Sequence, residues 1–170
     1  MSDLSHLDPR LDAKALTCRA VIETPKGRRG KLAYDPQSGV FELKRMLPDG
    51  MSFPLDFGFV PGTRGQDGDP LDILVLGDEP SAVGTLLTVR LIGVIEAEQT
   101  EDGQTVRNDR ILAVAAVSHL FAEVTSLADL GADVLRNLTA FWENCDALRG
   151  VGFKVLAVRD GTAAAQMIGR

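Results

Sequence analysis

Residues 67–76 read DGDPLDILVL, an acidic loop that runs directly into an apolar strand. Asp67 and Asp69 are two residues apart in an extended stretch, so both side chains point to the same side. Asp72 lies at the start of the apolar strand, where a carboxylate is costly unless it is paired or binds a metal ion. Three carboxylates on a tight loop predict a cradle for a divalent cation. From spacing alone a solvated acidic turn remains an equal alternative, because DGDP is also ordinary turn chemistry.

The composition predicts one domain and excludes several classes of protein. The chain has 170 residues, of which 45% are hydrophobic, and a formal net charge of -6. This length fits a single domain, and the acidic balance argues against a nucleic-acid partner or an anionic membrane surface. The longest apolar run, Ile111 to Val117, is far too short to span a bilayer. Because the N-terminus shows no leader pattern and there are only two cysteines, we expect a cytoplasmic protein.

The pattern along the chain predicts an α+β fold. Residues 1–16 are polar and are expected to form an N-terminal arm, whereas residues 17–170 are expected to form a single barrel domain. Short strands with Gly and Pro turns continue to about residue 117, with Gly93 as a predicted bulge or barrel corner and residues 99–108 as a predicted charged loop. A helical stripe follows, made of Val134, Leu135, Leu138, Phe141, Trp142, Cys145 and Leu148. Many short strands and one main helix indicate a small, mostly antiparallel barrel with a helix packed on it.

Basic residues near the first strands suggest an anionic ligand. Lys31 follows a turn that is already rich in Lys and Arg, and Arg45 comes one hairpin later. Beside carboxylates that bind a metal, these cations favour a metal-chelated phosphate compound as substrate; alone, they are typical of a solvated face. Glu23 ends the apolar run AVIE and is a candidate inward carboxylate, although a surface position at the strand end is equally consistent with the sequence.

These residues together resemble the soluble family I inorganic pyrophosphatases. The resemblance runs in order from about Thr17 to Val158 and includes the string from Asp67 to Ile73. A Phe-Pro-x-x-Phe-Gly-Phe segment precedes that string at Phe53 to Phe59. An ordered set of matches over most of the chain is far more specific than one short acidic string.

The resemblance implies an OB-like five-stranded barrel, Mg²⁺ as cofactor (Mn²⁺ also fits) and hydrolysis of pyrophosphate to two phosphates. By this analogy Asp67 and Asp72 hold metal, Asp69 accepts a proton from the attacking water, and Lys31 and Arg45 hold phosphoryl oxygens. Glu23 is a further candidate metal ligand, and Arg110 is a further candidate for substrate binding. The resemblance also implies a homo-oligomer, hexameric in the bacterial type.

Several departures from the family lie on one side of this expected site. They suggest as an alternative a barrel of weak or no activity that binds metal or a phosphorylated ligand. A third interpretation is an OB-type interaction module, in which the carboxylate of Asp72 at the start of an apolar strand has no functional role. Asp146, at the edge of the helical stripe in place of a lysine, is expected to repel the substrate if it borders the pocket. The departures are Phe53 and Phe57 for tyrosines, Ala33 for a glutamate, Cys145-Asp146 for a Tyr-Lys pair, Asp102 (with Glu98 and Glu101 as rivals) and Asn108 for two metal-binding aspartates, and Arg110 for a lysine.

Overall fold

The computed structural model describes residues 3–170, which form nine strands and two α-helices. The strands are β1 (Thr17–Thr24), β2 (Gly30–Asp35), β3 (Val40–Met46), β4 (Asp56–Phe59), β5 (Asp72–Leu76), β6 (Leu86–Glu101), β7 (Gln104–Arg107), β8 (Arg110–Ala115) and β9 (Gly152–Asp160). The helices are α1 (Ala132–Ala147) and α2 (Gly161–Ile168). Short 3₁₀ turns occur at Leu4–His6 and Leu127–Leu130.

Five strands close into a barrel in the order β1-β4-β5-β8-β6, and β6 pairs back to β1. The pairings are antiparallel except that of β5 with β8, which is parallel. The predicted five-stranded barrel is therefore confirmed. Strands β7 and β9 extend the sheet along β6, and β2 and β3 form a separate hairpin.

The central strands are apolar on both faces because each face is covered. Ile73 and Val75 of β5 belong to a cluster that includes Ala164 and Ile168 of α2. Leu74, the residue between them, belongs to a second cluster that includes residues of α1. This double burial explains why β5 and β8 read as continuous apolar runs rather than alternating ones.

Gly93 marks an irregularity in the long strand β6, as the sequence predicted. The register between β6 and β8 shifts between Leu91 and Gly93. A Cβ at residue 93 would lie 2.7 Å from the carbonyl oxygen of Arg159 and would overlap the side chain of Leu127. Only glycine lets β9 and the Leu127 turn approach β6 this closely.

Residues 99–108, which the sequence analysis treated as a charged loop, instead form most of a β-hairpin between β6 and β7. Asp102 and Gly103 are its two turn residues, with φ of 50° and 76°. Positive φ at both positions is the geometry of a type I′ turn, for which Asp-Gly is a favoured sequence. The prediction missed that signal.

The main helix ends slightly earlier than its apolar stripe suggested. Leu138, Trp142 and Cys145 are buried as predicted, but Leu148 is 67% exposed. Helix α1 stops at Ala147, and the chain turns through Gly150 with φ of 74°. Leu148 is therefore directed away from the barrel. Asp160 caps the short helix α2, accepting a hydrogen bond from the Ala163 N–H.

The N-terminal arm packs against its own barrel over its described residues, 3–16; Met1 and Ser2 lie outside the described residues. The Gly62 N–H donates to the carbonyl of Ser5 at 2.7 Å, and the Arg19 N–H donates to that of Pro9 at 2.7 Å. In residues 3–170 no helix is both long and apolar enough to cross a membrane.

Candidate active site

Two adjoining hollows lie beside the DGDP loop and share Asp72 as a wall. The larger, of about 820 Å³, is also lined by Glu23, Lys31 and Asp69. The smaller, of about 610 Å³, is also lined by Asp67 and Asn108. Four of the predicted metal ligands, the predicted proton acceptor Asp69 and the substrate-binding candidate Lys31 therefore line these two adjoining hollows.

The acidic loop is held by its own backbone. The Gly65 N–H donates to the carbonyl of Asp69 at 2.6 Å, and the Asp69 N–H donates to the carboxylate of Asp67 at 3.1 Å. Gly68 has φ of 94°, a conformation that residues with a side chain rarely adopt. Burial raises the pKa of Asp67 above its ordinary value. These hydrogen bonds thus fix the backbone positions of Asp67 and Asp69.

Asp72 begins β5 and lies between Phe59 of β4 and Arg110 of β8 in the sheet register. Burial raises the pKa of its carboxyl group to about 6, and the positive charges of Arg110 and then Lys31 oppose that rise. The carboxylate is thus poorly solvated, which favours a cation at this position.

Glu23 is a second buried carboxylate, 8% exposed, and accepts a hydrogen bond from the Tyr34 N–H at 2.7 Å. Burial raises its pKa to about 7, and the charges of Asp72 and Asp69 add to the rise. The next residue, Thr24, exchanges hydrogen bonds with the backbone of Leu32. The side chains at the end of β1 therefore anchor the β2–β3 hairpin against the barrel.

The donor set fits a hard divalent cation, because it consists of carboxylate and amide oxygens. No three His, Cys, Asp or Glu side chains within residues 3–170 are close enough together to hold an ion in their present rotamers. The oxygen-bearing candidates that would hold such an ion are Asp67, Asp72 and Asn108 around the smaller hollow and Glu23 in the larger one.

Of the two predicted phosphate-binding cations, Lys31 lines the larger hollow, whereas Arg45 lines neither hollow and lies next to Lys31. They are register partners in the β2–β3 hairpin. The Lys31 Nζ lies 5.4 Å from the centre of the Phe57 ring, and burial lowers its pKa. Arg45 lies beside the Cys145 thiol, and burial likewise lowers the pKa of its guanidinium. Within the described residues neither forms an ion pair.

Arg110 is not placed as a free substrate-binding cation. It is 2% exposed, and its guanidinium lies 4.1 Å from the Trp142 ring centre and 4.9 Å from that of Phe153. Its Nη1 donates to the carbonyl of Asn108 at 3.0 Å, while its Nε has no partner among the described residues. From this buried position Arg110 acts on Asp72 through its charge.

Asp102, expected from the resemblance to bind metal, lies apart from the cluster. It is exposed at the tip of the β6–β7 hairpin, beyond the pairs Thr100–Thr105 and Glu101–Gln104. Of its rivals, Glu101 is near the same tip and Glu98 is 3.8 Å from Lys154. None of the three lines either hollow.

Asn108 lines the smaller hollow, and it is linked to two residues that sequence reasoning missed or misjudged, Gln99 and Asp146. Its Nδ2 donates to Gln99 Oε1 at 2.6 Å, and Gln99 Nε2 donates to Asp146 Oδ2 at 2.6 Å. Asp146 is only 1% exposed and pairs with Arg149. It is therefore neither a solvated helix residue nor a free charge facing the hollows. The Arg149 three residues later was an available signal of this pairing.

The barrel and its site define a class of protein: a small OB-like barrel whose carboxylates and cations converge beside one loop, suited to an anionic ligand that carries divalent metal. Comparisons with known proteins identify the family. The family model described as inorganic pyrophosphatase matches residues 20–170, and the chain belongs to that family. Membership implies a divalent metal cofactor.

Curated relatives and solved structures agree over nearly the whole chain. The inorganic pyrophosphatase of Thermus thermophilus is 34% identical over 99% of this chain and 95% of its own length. That of Synechocystis sp. is 31% identical over 98% and 95%. The crystal structure of the Thermus thermophilus enzyme superposes with a TM-score of 0.89 at 31% identity, covering 99% of this chain and 95% of that one. The Neisseria gonorrhoeae structure gives 0.87 at 28% identity, with 96% and 92% covered.

Proposed function

We propose that this protein hydrolyses inorganic pyrophosphate to two phosphates, with Mg²⁺ as its cofactor. One observation carries the proposal beside the family membership: Glu23, Asp69 and Asp72 border the same hollow as Lys31, whose charge has no ion-pair partner among the described residues. Carboxylates suit a metal ion and an unpaired lysine suits a phosphoryl group, so a metal-chelated polyanion satisfies both.

Asp67, Asp72 and Asn108 are the proposed metal-holding residues of the smaller hollow, and Glu23 contributes from the larger one. When bound, divalent metal at such a site lowers the pKa of a water molecule and neutralises charge on the phosphates. Asp72 and Glu23 have raised pKa values, so they exchange a proton for the cation in the neutral range. The oxygen donors suit Mn²⁺ as well as Mg²⁺.

Asp69 is the proposed proton acceptor for the attacking water. Its carbonyl accepts a hydrogen bond from the Gly65 N–H, and Asp69 is exposed and lines the larger hollow together with Glu23 and Asp72. A carboxylate with access to water and a fixed backbone can take a proton while its neighbours hold metal.

Lys31 and Arg45 are the proposed phosphate-binding cations. They extend from paired positions of the β2–β3 hairpin, and the planar Arg45 guanidinium can hold two phosphoryl oxygens at once. Arg110, which the resemblance placed on the substrate, is proposed instead to stabilise the charged form of Asp72 from within the core.

The test is phosphate release from pyrophosphate with Mg²⁺, measured beside ATP and tripolyphosphate as competing phosphoanhydrides. We expect turnover of pyrophosphate that stops when a chelator removes the metal. Turnover that persists in chelator would contradict the metal-dependent mechanism, and a protein that binds magnesium pyrophosphate without cleaving it would contradict the enzymatic function.

We also propose a cytoplasmic homo-oligomer, hexameric as in the family resemblance. Apolar side chains exposed on the single chain support association. Light scattering should give a mass well above the 18.2 kDa of one chain, and a mass equal to it would contradict this proposal. The most exposed of these side chains are Val117, Leu120, Leu148, Leu43 and Met46.

A further inference from the structure

A chain of three side chains links the smaller hollow to helix α1. Asn108 Nδ2 donates to Gln99 Oε1, and Gln99 Nε2 donates to Asp146 Oδ2, each at 2.6 Å. At the far end Arg149 Nη1 donates to Asp146 Oδ1 at 3.2 Å. We call Asn108, Gln99 and Asp146 the amide relay.

The Asn108 backbone is held on both sides, so its side chain is the adjustable part. Its N–H donates to the carbonyl of Ala97 at 2.9 Å, and its carbonyl accepts from Arg110 Nη1 at 3.0 Å. Asn108 lines the same hollow as Asp67 and Asp72. The direction in which its amide is turned therefore decides whether that hollow receives an oxygen or an NH₂ group.

We propose that Asp146 is a positioning residue that sets this direction, an inference that rests on the proposed metal site. A carboxylate has no hydrogen to donate, so Gln99 must turn its NH₂ group toward Asp146 and its oxygen toward Asn108. Asn108 must then offer its NH₂ group to Gln99. The Oδ1 of Asn108 then remains free to bind a cation. If the Asn108 amide were reversed, its NH₂ hydrogens would face the ion instead.

The burial of Asp146 favours one orientation of the Gln99 and Asn108 amides over the reversed one. At 1% exposure the carboxylate depends on protein donors, and Gln99 and Arg149 supply them. Reversing both amides would place the Gln99 oxygen against a buried anion, at the cost of a hydrogen bond and of acceptor–acceptor repulsion. The relay thus explains why an aspartate at this helix position is compatible with a metal site.

The experiment measures binding of Mn²⁺ alone to the intact protein by titration calorimetry, independent of turnover. Gln99→Met interrupts the relay without changing any charge. Asp146→Asn is isosteric and lets residue 146 donate as well as accept, so the amides lose their fixed direction. The double variant completes a cycle, and Gln104→Met, an exposed glutamine on the same hairpin, is the matched control. Thermal unfolding verifies that each variant is folded.

We expect each single variant to weaken Mn²⁺ binding about 10-fold, the usual cost of losing an outer partner of a metal ligand. The double variant should be no weaker than the singles, because both changes break one relay, and Gln104→Met should match the wild type. Wild-type affinity in either folded single variant, or additive losses in the double variant, would overturn the inference. A wild-type protein that binds no Mn²⁺ would overturn the proposed metal site together with it.

Discussion

The guanidinium of Arg110 lies 4.1 Å from the centre of the Trp142 ring, which places a buried cation behind Asp72. A cation over an aromatic face is attracted to the ring electrons. Arg110 is also the largest charge that opposes the rise in the pKa of Asp72. Helix α1, which carries Trp142, therefore holds in place the cation that favours the ionised form of Asp72.

Arg110→Met should raise the pKa of Asp72 further, because the nearest compensating charge is lost. An opposite charge at close range typically lowers a carboxyl pKa by about 1–3 units. We expect the acid limb of the pH–activity profile to move to higher pH by about one unit. Trp142→Phe, which keeps an aromatic face and the charge of Arg110, is the control and should leave the acid limb in place. An unmoved limb in Arg110→Met would contradict this role.

Asp69→Asn keeps the size of the side chain and removes its capacity to accept a proton. We expect turnover to fall about 10²- to 10⁴-fold, the usual cost of losing a general base, with little change in KM. Steady-state kinetics with pyrophosphate measure both quantities. A wild-type rate would remove Asp69 from the role of proton acceptor.

Asp102→Asn should leave both the rate and the Mn²⁺ affinity unchanged, because residue 102 is at an exposed turn outside the hollows. Asparagine tolerates the φ of 50° found there, so the hairpin should remain folded. A 10-fold loss of metal affinity would show that the hairpin tip does take part in binding.

Glu23→Gln should alter how stability depends on pH in the presence of a chelator. The folded pKa of Glu23 is about 7 and its ordinary value is 4.5, so folding favours the protonated form. Its contribution is complete below about pH 4.5 and is lost as the pH rises through 7. Glutamine, always neutral and still able to accept from Tyr34, should stabilise the protein relative to wild type at pH 8 by up to about 3 kcal/mol. At pH 4 the two should match.

Chemical unfolding at the two pH values tests this directly. Adding Mg²⁺ should remove the advantage of the variant at pH 8, since the charged carboxylate then has a cation beside it. Equal stability differences at pH 4 and pH 8 would contradict the raised pKa.

Asp146→Lys would restore the lysine that the family pattern has at this position, but we expect this substitution to destabilise the fold. A buried lysine would replace the carboxylate that accepts from Gln99 and Arg149, near the charge of Arg110. Removing one member of a buried ion pair typically costs about 3–5 kcal/mol. Asp133→Lys, an exposed change in the first turn of the same helix, is the control and should cost far less. A folded Asp146→Lys variant of wild-type stability that binds pyrophosphate more tightly would contradict the buried placement.

The sequence by itself determined the local features of this protein. The carboxylates of residues 67–72, the strand that follows them and the apolar stripe of the main helix could all be predicted, because each depends on residues close in sequence. The Asp-Gly turn at residue 102 was also a local signal, because Asp-Gly is a favoured sequence for a two-residue hairpin turn.

Only the tertiary structure decided how the distant parts of the site meet. Gln99 and Asp146 are 47 residues apart and become hydrogen-bond partners because α1 packs on β9, which is paired with β6. The burial of Arg110 between Trp142 and Phe153 likewise depends on three separate elements. The sequence specifies which side chains are charged. The solvation and the partners of each charge depend on the surfaces that pack against it in the folded protein. That packing determines which charges remain available to a ligand.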